Sequence, residues 1–316
     1  GVQSTGIPHL GNIIGAIIPA IKMAEDEMNE SFLFIADLHS ITQIKDCHQL
    51  SENTFATAAT WLACGLNPEK TIFFRQSAVA QVTELAWFLS CFFPYQRLKL
   101  AHSFKDKSDH LGDVNCGLFT YPMLMASDIL IYNAEFVPVG KDQLQHIEIT
   151  RDVASRFNHQ FGETFVLPKP KIEENTQYVT GTDGEKMSKS KNNTINIFLQ
   201  EKKLRSQIMS IKTDSKSIDE PKNPDQCNLF KLFSILGNKN QIDVLRQKYL
   251  NGGVGYGDTK QELFELILEK FKTERTKFKY YNENPREVEL ALEKGAYKAS
   301  KIADEVLLKV RSKLGF

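Results

Sequence analysis

The chain has no apolar run approaching the roughly 20 residues of a membrane-spanning helix, and its opening residues do not form a secretory signal. A membrane-embedded or exported protein is therefore not expected. Cysteine is sparse: five residues, Cys47, Cys64, Cys91, Cys116 and Cys227, stand far apart with no C-x-x-C pair. This odd, scattered set argues against a disulfide or zinc framework and suits reduced thiols in the cytoplasm. An excess of one charge is also missing. Lys plus Arg and Asp plus Glu number 39 each, so no global field draws the chain to nucleic acid, and any such contact must come from local patches. Neither G-x-x-x-x-G-K-[ST] nor G-x-G-x-x-G occurs, which removes the P-loop and the dinucleotide fingerprint.

What is present is an ordinary globular composition, 41% hydrophobic and 25% charged over 316 residues, enough for one or two domains with a substantial core. "SFLFIADLHSI" (31–41) and "KTIFFRQS" (70–77) have the pattern of buried parallel strands. "SENTFATAATWLACGLNP" (51–68) reads as a helix with Ser51 as its N-cap, and "VTELAWFLSCFF" (82–93) as a helix ended by Pro94. A polar stretch interrupts the rhythm at about 95–117. The segment "TYPMLMASDILIYNAEFVPVGKDQLQHIEITRDVASRF" then resumes as helix, strand, helix. Strands and helices alternating on short connections imply a doubly wound parallel α/β sheet. Beyond about residue 190 only amphipathic helical segments follow. Two domains are expected, 1–182 and 183–316, with the last helix able to pack back on the first. The chain opens at Gly1 without Met, and an upstream segment carrying the first strand is expected.

Two stretches invite an anion. In "GVQSTGIPHLGN" (1–12), glycines let backbone amides approach a ligand, and the helix beyond offers its positive end. The ordinary alternative is a glycine turn capped by Asn12. "NGGVGYG" (251–257) reads as a joint between helices. In "GTDGEKMSKSKNN" (181–193), Lys186, Lys189 and Lys191 crowd a loop with almost nothing apolar to bury. Alone, such a loop is usually just solvated surface.

Together, "GIPHLGN" and "KMSKS" (186–190) resemble the signature pair of class I aminoacyl-tRNA synthetases, with Asn12 replacing the final His of the first motif. "FVPVGKDQLQHIEITRD", "LFTYPMLMASDILIY" and "SFKDKSD" resemble the tryptophanyl-tRNA synthetases of bacterial type, and the likeness runs from Gly1 to Phe316. The resemblance implies a Rossmann-type catalytic domain, a C-terminal helical domain that meets tRNA, and a homodimer. It implies activation of L-tryptophan with ATP and Mg²⁺, the ion being held through the ATP phosphates, followed by transfer to tRNA(Trp). It assigns ATP contacts to Gln3, Ser4, Thr5, His9, Gly11, Asn12, Gly140, Asp142 and the loop Lys186, Met187, Ser188, Lys189 and Ser190. Lys186, Lys189 and Lys107 would stabilise the leaving pyrophosphate, with Lys105 beside Lys107.

Residue chemistry bears on the amino-acid pocket. Tyr121, Met125 and Asp128 stand at i, i+4 and i+7, one stripe of a helix. Asp128 has Leu124, Met125, Ile131 and Tyr132 for neighbours, so its carboxylate needs a donor. An indole offers one N–H and no acceptor; a nearby backbone amide is the structural alternative. Val137, Val139 and Met125 would form an apolar wall, with His39 at the end of its strand also lining it. By the resemblance, Tyr121 and Gln143 hold the substrate ammonium and Asp142 the ribose hydroxyls. Lys141 departs from the family, where an acidic residue is common, and is assigned no role. A basic cluster at Lys202, Lys203 and Arg205 fits a solvated helix face equally well. Three other readings compete: a tyrosyl enzyme, a small-molecule nucleotidylyltransferase, and a non-catalytic RNA-binding relative.

Overall fold

Apolar runs too short for helices become the strands. Phe32–Ile35 (β1) and Ile72–Arg75 (β2) pair in parallel, from Phe32 opposite Ile72 to Ile35 opposite Arg75. Val2 joins the opposite edge of β1, its N–H donating to Phe34 O at 3.0 Å while Ala36 N–H donates to Val2 O at 2.8 Å. Phe136–Val139 (β3) and Lys169–Ile172 (β4) form a second parallel pair. These belong to a computed structural model that describes residues 1–99, 115–172 and 179–316.

A helical run over residues 10–24 (α1) contains a π-helical turn at Ile13–Ile17. Cys47–Ala63 (α2), Gln81–Phe92 (α3), Cys116–Leu130 (α4) and Leu144–Phe161 (α5) intervene between the strands. The doubly wound α/β character is thus present among the described residues, as two parallel strand pairs with helices between them. Among the described residues after β4, an isolated bridge between Thr180 and Lys186 is followed by helices: Glu201–Met209 (α6), Asn228–Leu236 (α7), Lys239–Asn251 (α8), Tyr256–Lys270 (α9), Lys272–Glu283 (α10) and Pro285–Leu314 (α11). The glycines of 251–257 join α8 to α9. No described helix is long and apolar enough to cross a membrane.

Two local expectations are corrected. Helix α2 begins four residues before Ser51, because Asp46 accepts from Gln49 N–H at 2.7 Å and supplies the cap. Only 32–35 of the segment 31–41 is strand: the chain turns at Ala36 into a short helix, Asp37–Ser40, which carries His39.

Burial forms two clusters. One joins α1, β1 and α2 to the later helices, from Leu10, Ile13 and Trp61 through Ile195 and Leu204 to Leu229, Leu263 and Val288. The other gathers Phe74, Leu85, Leu89, Met123 and Phe157 under α11, which contributes Ala299, Ala303 and Val310. Helix α11 lies against the sheet. At Gly295 a side chain is impossible, since a Cβ there would lie 1.8 Å from the carbonyl oxygen of Phe73. The helix backbone therefore lies directly on β2. Arg311 grips Glu84 on α3 through two donors at 2.6 and 2.8 Å, and Arg75 pairs with Glu289.

Candidate active site

The carboxyl ends of parallel strands are where open sheets hold ligands, and three strand exits carry polar side chains here. The end of β1 delivers Asp37 and His39, the end of β2 delivers Gln76, and the end of β3 delivers Gly140 to Gln143.

The glycine-rich turn is built around His9. Its ring nitrogen Nδ1 accepts from Asn12 N–H at 3.3 Å, and the Asn12 side chain accepts from His9 N–H at 3.1 Å, a reciprocal cap that starts α1. The ring is 8% exposed. Burial, reinforced by the nearby Lys189 ammonium, lowers its pKa to about 4, so it is neutral at pH 7. Gly11 is needed for close approach: a Cβ there would stand 3.1 Å from the His9 ring and 3.4 Å from Met187. Gln3, Thr5 and Asn12 are half-buried along the turn. Ser4 is fully buried, with its N–H and hydroxyl both directed at the Ser40 hydroxyl, at 2.9 and 3.1 Å. Its position is that of a strut under the turn, not of a ligand contact.

The basic loop meets that turn. Lys189 Nζ donates to Gly6 O at 2.7 Å, and a Cβ on Gly6, whose φ of +132° already favours glycine, would stand 3.2 Å from the ammonium. Lys189 as a whole is exposed, but its ammonium sits against the turn, and desolvation there lowers its pKa to about 8. The loop also has an apolar anchor that its polar sequence disguised: Met187 is 5% exposed and belongs to the core around α1. Buried Asn193 organises the rest. It accepts from Ser188 N–H at 2.7 Å and donates to Asp183 and to Lys186 O at 2.8 and 3.1 Å. Lys186 and Ser190 remain exposed, with the Ser188 and Ser190 hydroxyls 2.8 Å apart.

Helix α4 brings Tyr121, Met125 and Asp128 to one side, as their spacing predicted. Asp128 is buried and satisfied by side chains, not by the backbone amide considered from sequence. His39 Nε2 lies 2.9 Å from Oδ2, and Gln76 Nε2 donates to both carboxylate oxygens at 2.8 Å. The His39 ring stands edge-on to Tyr121, centroids 6.3 Å apart. The Tyr121 hydroxyl shares a 2.6 Å hydrogen bond with His146 Nε2. Val137 and Val139 are the half-buried positions of β3, alternating with exposed Phe136 and Pro138. Asp142 folds back over Gly140 and accepts from the Gln143 amide at 2.8 Å. Lys105 and Lys107 lie outside the described residues. Among the described residues no three His, Cys, Asp or Glu side chains converge to hold a metal ion.

Residues 1–272 match the model of the family described as tRNA synthetases class I (W and Y). The chain belongs to the class I tRNA synthetases. It is 46% identical to the tryptophan–tRNA ligase of Fusobacterium nucleatum, with all of this chain and 96% of that protein covered. It is 42% identical to the tryptophan–tRNA ligase of Neisseria meningitidis at the same coverage. The crystal structure of tryptophanyl-tRNA synthetase from Campylobacter jejuni complexed with ADP and tryptophan superposes with a TM-score of 0.94. That protein is 43% identical, and 100% of this chain and 98% of the other are covered.

Sequence reading of this class I synthetase missed Gln76, His146 and Asn193. Gln76 was the findable one, because it directly follows a strand whose carboxyl end the fold class already marked as the ligand side. His146 and Asn193 had no such signal, since their importance lies in partners 25 and five positions away.

Proposed function

We infer that the protein is a tryptophan–tRNA ligase. It activates L-tryptophan with ATP and passes the tryptophanyl group to tRNA(Trp). One observation carries the reading: the Lys189 ammonium meets the glycine-rich turn at Gly6, so the two halves of the signature border one cleft. Full-length likeness to tryptophan–tRNA ligases supports the choice of amino acid.

In the first step a tryptophan carboxylate oxygen attacks the α-phosphorus of ATP and the bond to the bridging oxygen breaks, expelling pyrophosphate. Such a displacement needs placement and charge neutralisation more than covalent help. Lys186 and Lys189, with Lys107 from outside the described residues, neutralise the leaving group. Neutral His9, Asn12, Gln3, Thr5 and the amide of Gly11 line the opposite wall, where donors are needed more than charge. Met187, Ser188 and Ser190 shape the loop around the phosphates, and Gly140 lets Asp142 reach the ribose hydroxyls. Asp128 accepts the indole N–H, while Met125, Val137 and Val139 pack the ring. Tyr121 and Gln143 receive the ammonium. The site supplies lysines for phosphates, while Asp37 is committed to Ser77 and Asp128 to His39 and Gln76. This fits Mg²⁺ carried on the ATP phosphates.

In the second step a ribose hydroxyl of the tRNA terminal adenosine attacks the acyl carbon and AMP leaves. Residues 183–316 serve as the helical tRNA-binding part, two copies of the chain form the working enzyme, and the cytoplasm is its place. Pyrophosphate exchange into ATP tests the reading with tryptophan, with tyrosine and with no amino acid. Exchange dependent on tryptophan is the expected result. Tyrosine dependence would transfer the chain to the neighbouring specificity, and silence with both would mark a non-catalytic relative.

A further inference from the structure

Gln76 opens the 3₁₀ turn Gln76–Ala78 at the exit of β2 and has no exposed surface. The turn is pinned from the β1 side: Asp37 accepts from Ser77 N–H at 2.9 Å and from the Ser77 hydroxyl. The Gln76 backbone is therefore fixed relative to the start of the helix that carries His39. From that footing its amide nitrogen reaches both oxygens of Asp128 at 2.8 Å. The amide orientation follows from chemistry, since the flipped form would press a carbonyl oxygen against a carboxylate that only accepts.

The donors are shared unequally. Among the described residues, Oδ2 receives His39 and Gln76, whereas Oδ1 receives Gln76 alone. A carboxylate offers about four lone-pair sites, so Oδ1 is the oxygen with capacity left. The Gln76 carbonyl, meanwhile, is buried with no hydrogen-bond partner among the described residues. An amide present merely to complete the core would be expected to have both ends paired, and an unpaired buried acceptor is tolerated where function requires it.

We propose that Gln76 is a positioning residue that sets amino-acid specificity, holding Asp128 so that Oδ1 meets the N–H of the substrate ring. The proposal rests on the reading of Asp128 given above. Gln76 does not touch the substrate; it acts through the carboxylate. Without it Asp128 keeps His39 on one oxygen and can turn about its side-chain bond. The N–H acceptor is then misplaced while the apolar pocket survives.

The test compares tryptophan with β-(1-benzothiophen-3-yl)alanine, which has nearly the same shape but no ring N–H. The readout is the ratio of kcat/KM for the two in pyrophosphate exchange, for the wild type, Gln76→Leu and Asp128→Asn. Gln76→Met, unbranched and closer in shape to Gln, serves in place of Gln76→Leu should that variant not fold, with thermal unfolding as the check. For the Gln76 variants the ratio is expected to fall about tenfold or more, with the KM for ATP within about twofold of wild type. A purely structural glutamine would lower kcat/KM for both substrates in parallel and leave the ratio intact. An intact ratio in the Gln76 variants together with a lost one in Asp128→Asn overturns the proposal alone. Should the wild type accept both substrates equally, the reading of Asp128 falls and the proposal with it.

Discussion

The Lys189 ammonium donates to the carbonyl oxygen of Gly6 across 183 positions of sequence, at 2.7 Å. One flexible side chain thereby closes the basic loop onto the glycine-rich turn, and a triphosphate arriving there offers Lys189 a far stronger partner than a neutral carbonyl. Removal of that cation should slow activation without unfolding the protein. For Lys189→Ala we expect the rate of adenylate formation to fall roughly 10²–10³-fold, the usual effect of losing one transition-state donor, with the thermal midpoint almost unchanged. An activation rate equal to wild type would take the loop out of the mechanism.

The lowered pKa of Lys189, about 8, comes from desolvation of its tip. Its charge is complete below that value and is lost as pH rises through it. The kcat/KM for ATP, which reports the free enzyme, should therefore decline above about pH 8. Arginine stays charged throughout this range, so Lys189→Arg should lack this limb even if its overall rate is lower. Persistence of the limb in Lys189→Arg would assign it to another group.

His9 gives a pH dependence at the acid end. It titrates near its ordinary 6.5 when unfolded and near 4 when folded. Between those values the unfolded chain holds more protons, so the His9 contribution is intact above about pH 6.5 and is lost as pH falls toward 4. Comparison with His9→Asn, which keeps a capping side chain, isolates the effect. The stability difference between the two in urea should shift against the wild type on acidification, by up to about 1.4 kcal/mol per pH unit. A difference that stays constant from pH 7 to 4 would contradict the assignment.

These features were unequally legible in the sequence. The stripe on α4 and the alternation of strand with helix could be read because periodicity is local. So could the pairing of two motifs, although their meeting across 183 positions could only be inferred from resemblance. Met187 was lost among lysines and serines because one anchoring side chain leaves no periodic trace. The capping of α2 by Asp46 instead of Ser51 reflects two residues of almost equal capping preference, decided by where the packed face begins. The donors to Asp128 depend on side chains 89 and 52 positions away, which no local pattern encodes.

Asp128 should matter to the amino acid and not to the nucleotide. Asp128→Asn leaves an amide group facing the donors His39 and Gln76 and removes the charge-assisted acceptor. We expect the KM for tryptophan to rise roughly 10–100-fold, the range of a lost hydrogen bond to a charged group, with ATP affinity preserved. Unchanged tryptophan affinity would leave Asp128 a structural residue.

Gly295→Ala tests how α11 is seated. The new methyl would overlap the Phe73 carbonyl, since even the Cβ position lies 1.8 Å from it. The helix must lift off β2, costing about 1–3 kcal/mol or more, seen as a lower urea midpoint. A midpoint equal to wild type would contradict the direct contact of helix and strand.

The most direct measurement follows both chemical steps in one tube. The enzyme is incubated with labelled tryptophan and ATP·Mg²⁺, freed of unbound substrates, and mixed with tRNA(Trp) without further ATP. The account predicts that enzyme-bound tryptophanyl-adenylate forms first and that its label then appears as tryptophanyl-tRNA in a single turnover, both steps requiring tryptophan. Failure of label to remain with the enzyme as an adenylate, or to pass from that adenylate to tRNA(Trp), would contradict it.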